Sequence, residues 1–183
     1  PPDLKDEMRW VYDQHFLAEE HLQTYDLSIN PDGETVTMRV EIIRRIINFT
    51  DVTQELILGL AIDEWGFHGR ESRIIKLAYF IDNQWHTISP ASLVRIPDVL
   101  KTENIPLKIA SNNSIEIHQI FEETRRINDE SHIVFGYPTK NPRVMVNADE
   151  ALDFHVGFSH RKQPHVVPSP DGSGYRLHGT LLP

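Results

Sequence analysis

Apolar and polar residues alternate along much of this chain. The clearest run is Thr35-Val36-Thr37-Met38-Arg39-Val40-Glu41-Ile42, which sets Val36, Met38, Val40 and Ile42 on one face and Thr35, Thr37, Arg39 and Glu41 on the other. A period of two is the signature of a half-buried β-strand. The preceding Asn30-Pro31-Asp32-Gly33-Glu34 is a turn with a mechanism. Proline presets one dihedral, and Asp-Gly tolerates the backbone angles of a tight reversal. Similar runs predict strands near 24–30, 35–47, 54–62, 72–82, 85–88, 114–124, 132–136, 142–147, 152–159 and 174–181. Turns are expected at Asp82-Asn83, at 137–142 and at Ser169-Pro170-Asp171-Gly172.

One segment reads differently. Leu4, Met8, Val11, His15, Ala18 and Leu22 recur at steps of three and four, which predicts an amphipathic helix over 3–22, with Asp3 as its N-cap. A short helical turn is expected over 97–104, and a long loop over 161–174. The fold expected is all-β and mainly antiparallel: a β-sandwich or flattened barrel over 24–183, preceded by one helix or connector over 1–23. An echo suggests an internal duplication of 24–96 and 105–183. Leu27-Ser28-Ile29-Asn30 and Leu107-Lys108-Ile109-Ala110 each lead through a turn to an alternating strand that ends in Arg-Arg-Ile.

At 183 residues and 39% hydrophobic content, the chain builds a core without staples. A net charge of −9 argues against a duplex-DNA or anionic-membrane partner. The lack of cysteine excludes disulfides, Cys-based metal sites and thiol nucleophiles, and suits a cytoplasmic setting. No run is long and apolar enough for a membrane helix. The chain opens Pro1-Pro2-Asp3 and stops at Leu181-Leu182-Pro183, which reads as a piece of a larger multidomain protein.

Gly-rich phosphate loops, nucleophile elbows and His-Glu-x-x-His are missing from the sequence. Three constellations carry candidate chemistry. The first is Trp65, Phe67, His68 and Arg70 between two strong strands, the composition of a binding hot spot. The second is the pair of doublets Arg44-Arg45 and Arg125-Arg126, suited to an anion such as a nucleotide if the two halves are symmetric, or to ordinary pairing with Glu41, Glu122 or Glu123. The third is Asp153, His155 and His160, with His165 nearby, a set of types that binds a divalent transition metal.

The leading expectation is a non-catalytic, cofactor-free sensing domain that binds a small molecule or a protein, with an anionic small molecule as its sharper form. One alternative is a metal-dependent enzyme using the His/Asp set. A second is a protein–protein interaction or oligomerisation domain, a homodimer through helix 3–22.

Overall fold

The alternation in 35–42 becomes the second of fifteen strands in a computed structural model of the chain. The structure describes residues 14–63, 72–89, 93–96, 99–128, 137–149, 151–152, 165–168, 174–178 and 180–181. The strands are β1 (Phe16–Ile29), β2 (Thr35–Asn48), β3 (Gln54–Leu58), β4 (Ala61–Asp63), β5 (Arg73–Ile81), β6 (Gln84–Thr87), β7 (Leu93–Ile96), β8 (Val99–Thr102), β9 (Ile105–Ile109), β10 (Ser114–Arg126), β11 (Thr139–Lys140), β12 (Arg143–Ala148), β13 (His165–Pro168), β14 (Gly174–His178) and β15 (Thr180–Leu181).

Ten strands form one sheet. Its main path runs β13-β14-β12-β1-β2-β10-β5-β6, with β11 on β1 and β15 on β11. Pairing is antiparallel except where β1 meets β11 and β12 in parallel. The centre is β1-β2-β10-β5, the longest strands and therefore the largest surface for packing.

The β1–β2 turn forms for the reasons the sequence gives. Gly33 takes a left-handed φ of 68°. Asp32 Oδ1 accepts from the backbone N–H of Glu34 and of Thr35, each at 3.0 Å. The β5–β6 hairpin turns on Asp82 (φ 50°) and Asn83 (φ 61°), both left-handed, as a two-residue hairpin loop requires.

The β2–β10 ladder does not stop at the sheet. Beyond β2 the chain continues into β3, and β3 pairs with β9, the strand that leads into β10. Farther on, β4 pairs with β8, and β8 with β7. One ribbon thus bends sharply where β2 ends, and Asn48, which is wholly buried, makes the corner. Its Nδ2 donates to the carbonyls of Val52 (2.8 Å), Ile109 (2.9 Å) and Ala110 (3.1 Å). Its Oδ1 accepts from the Thr50 N–H (3.0 Å) and hydroxyl (2.7 Å). A bend strips ladder partners from backbone groups, and one amide side chain replaces them.

After the bend, Leu56, Leu58, Leu107 and Ile109 pack on Phe16, Ala18, Ile46, Leu77, Ile115 and Ile117 of the large sheet. Two layers enclose this cluster. A second apolar group, Tyr25, Met38, Val40, Ile42 and Val144, lies farther along the same sheet face. The opposite face carries a charged ladder. Glu122 joins Arg73 (2.6 Å to its Nε) and Arg39 (3.6 Å), and His118 joins Glu41 (2.6 Å) and Lys76 (2.9 Å).

The fold is all-β and mostly antiparallel as expected, with three corrections. Residues 16–22 belong to strand β1 and not to a helix. Cross-strand bonding to β2 along this segment, with β11 at Ala18 and β12 at Leu22, outweighs the helical spacing, and residues 1–13 lie outside the described residues. Residues 99–102 form β8 where a helical turn was expected. The stretch expected as a loop holds β13, which pairs with β14. The strand expected at 132–136 lies outside the described residues, as does that expected at 152–159 beyond Leu152. No helix long and apolar enough to cross a membrane occurs among the described residues.

Candidate functional site

Between the two apolar clusters the buried face of the sheet turns polar. In β1, a register shift between Ala18 and Glu20 brings His21, Gln23 and Tyr25 onto the inner face. In β2 the inward parity that buries Val36, Met38, Val40, Ile42 and Ile46 also places Arg44 inward. In β10 the same parity carries Ile115, Ile117, Gln119, Phe121 and Glu123. His21 stands directly across from Arg44, and Gln119 directly across from Ile42.

These side chains form a connected band. Gln23 donates its amide to the Tyr25 hydroxyl at 2.6 Å, so its carbonyl is left to accept from His21 Nε2 at 3.1 Å. His21 is 7% exposed. Burial lowers its pKa to about 4, against the bond to Gln23, and the neighbouring Arg44 charge pushes it further down. The imidazole is therefore neutral at pH 7. Burial and the nearby Glu123 carboxylate raise the Tyr25 phenol well above its ordinary range. Burial also raises Tyr137, with Arg44 opposing. Tyr137 is positioned by an edge-to-face contact with Phe16, ring centroids 6.0 Å apart, and by β11 pairing on β1 at Ala18–Thr139.

Arg44 is the unusual member. Its Nη2 donates to Gln119 Oε1 in a short hydrogen bond. Its Nε is sealed from solvent and has no partner, and neither has the Nε2 of Gln119, a residue at 0% exposure. Desolvation lowers the Arg44 pKa, yet a guanidinium stays charged at any physiological pH. Among the described residues no carboxylate bridges it. Glu123, the acid on the same face, bonds to Arg125 at 3.0 Å. A buried N–H of a cation with no acceptor is costly, and among the described residues no carboxylate supplies one.

The other expected site residues fall as follows. Arg45 points to the opposite face from Arg44, with its side chain 49% exposed beside Glu19 (3.9 Å) and Ser114 (3.2 Å). Arg125 lies across from Val36 and Arg44 across from Ile117. The doublets are thus eight ladder positions apart, about 26 Å at ~3.3 Å per residue. They do not converge on one anion. Arg125 makes the ordinary pairing with Glu123, and Arg126 is exposed. Trp65, Phe67, His68 and Arg70 lie outside the described residues, as do Asp153, His155 and His160. Among the described residues no group of three or more His, Asp or Glu is placed to hold a metal ion. Sequence reasoning missed His21, Gln23 and Gln119. The signal that finds them is a polar residue at inward parity in an otherwise apolar series, as in Ile115-x-Ile117-x-Gln119-x-Phe121.

No family model matches the sequence, and no curated protein matches it either. Among solved structures, the backbone is similar to that of a Legionella pneumophila protein provisionally named a nutrient binding protein. The two are 9% identical with a TM-score of 0.42. The match covers 74% of this chain and 51% of that one, so it spans about half of that protein's length.

Proposed function

We propose that this chain is a ligand-binding β-domain that takes an anionic small molecule at Arg44 and Gln119, without chemical turnover. The observation that carries this reading is the buried, partnerless Nε–H of Arg44, with no carboxylate bonded to this arginine among the described residues. An anion supplies both the missing charge and the missing acceptor.

The rest of the band favours binding over acid–base catalysis. Near pH 7, His21 is held neutral, Tyr25 protonated and Arg44 charged, so none is poised to exchange a proton. Trp65, Phe67, His68 and Arg70 are proposed as additional contacts, on their composition alone.

Calorimetry of the whole chain with a panel of small anions tests the reading. Saturable heat that disappears in Arg44→Gln supports it. Heat from no anion, or heat unchanged by that substitution, removes it.

A further inference from the structure

We infer that the group received by Arg44 is a single carboxylate, and not a phosphate or a nucleotide. This rests on the ligand-binding reading above and narrows it to a chemical class.

Donor count is the first ground. Arg44 spends Nη2 on Gln119 Oε1 and keeps Nε–H unused, while Gln119 keeps an unused Nε2–H. Each unused donor lies two covalent bonds from the hydrogen bond that joins the two side chains. One carboxylate has two oxygens, an acceptor for each of these donors.

Charge is the second ground. Among the described residues the band holds one positive charge, Arg44, with no carboxylate bonded to it. His21, Tyr25 and Tyr137 add none, and Glu123 is already bonded to Arg125. One carboxylate balances Arg44. A phosphate monoester carries about −1.5 to −2 at pH 7, which leaves surplus negative charge in a low-dielectric site near Glu123.

The test uses the whole chain, with benzoate, octanoate, inorganic phosphate and AMP as probes at pH 7. Benzoate or octanoate is expected to give saturable heat and a higher Tm, and phosphate and AMP neither. Arg44→Gln is expected to weaken carboxylate binding at least about tenfold, the loss of a hydrogen bond to a charged group. Gln119→Glu places a carboxylate on Arg44 from within. It is expected to raise the ligand-free Tm by about 2–4 °C and to abolish the carboxylate response. Arg44-dependent binding of AMP or phosphate with no carboxylate response overturns the assignment and leaves anion binding standing. Absence of any Arg44-dependent binding removes both. A Gln119→Glu protein with a lower Tm overturns the charge argument, even if Arg44→Gln fails to fold.

Discussion

Acidification is expected to destabilise this protein through His21 in a definite window. The unfolded chain takes up a proton on this histidine near 6.5, whereas the folded chain refuses it until about 4. The folded pKa is depressed, so His21 contributes its full stability above pH 6.5. That contribution is lost as pH falls toward 4, and nothing further is lost below. The gap between the two values corresponds to roughly 3 kcal/mol. Burial is the main cause. The hydrogen bond to Gln23 opposes it, and the charge on Arg44 adds to it.

The assay is urea unfolding at a series of pH values, on this chain and on His21→Gln, which keeps a polar partner for Gln23 but does not titrate. Carboxylates contribute equally to both curves and cancel in the difference. The stability advantage of the unaltered chain is expected to shrink by about 3 kcal/mol between pH 7 and pH 4, and to be flat above pH 7. A difference that stays constant across pH 4–7 refutes a buried, neutral His21, and with it the description of the band as dehydrated.

Two further perturbations test the frame that holds the band. Asn48→Ala removes the amide that serves three carbonyls and the Thr50 N–H at the ribbon corner, so the loss expected in urea unfolding is about 3 kcal/mol or more; less than about 1 kcal/mol shows that the corner does not depend on it. Gly33→Ala meets nothing within 4 Å of an added Cβ. Its cost is the left-handed backbone alone, about 1–2 kcal/mol in the same assay, and a neutral result refutes that turn geometry.

How much of this was legible in the sequence depends on what each signal encodes. Strand β2 was readable because its burial follows parity: Val36, Met38, Val40 and Ile42 are inward as the alternation requires. The turns at Asp32-Gly33 and Asp82-Asn83 were readable because their backbone angles select those residue types. The start of β1 was misread for a physical reason. The register shift between Ala18 and Glu20 breaks the period of two. Ala18 and Leu22 then fall at a helical spacing, although they lie on opposite faces of a strand. Strand β8 was missed because four residues holding Lys101 and Thr102 carry little periodic signal, and their pairing with β4 and β7 is non-local.

The site was half legible. Arg44 stood out, but as one of a doublet, and adjacent strand residues face opposite sides by construction. The doublet therefore has one inward and one outward arginine, and only the inward one meets Gln119. Gln119 and His21 became candidate site residues when three strands were placed in register. That placement depends on pairings across dozens of residues of sequence, which no local window contains.

Arg44 carries an unpartnered Nε–H inside the sheet, and an acceptor that binds there must reach it. The most direct measurement is the arginine Nε–H region of a proton–nitrogen NMR spectrum during a benzoate titration, with the Arg44 signal assigned by its loss in Arg44→Lys. This signal is expected to move downfield to saturation while the Nε–H of exposed Arg45 stays in place. An Arg44 signal that does not move at saturating benzoate, while signals elsewhere do, contradicts the account.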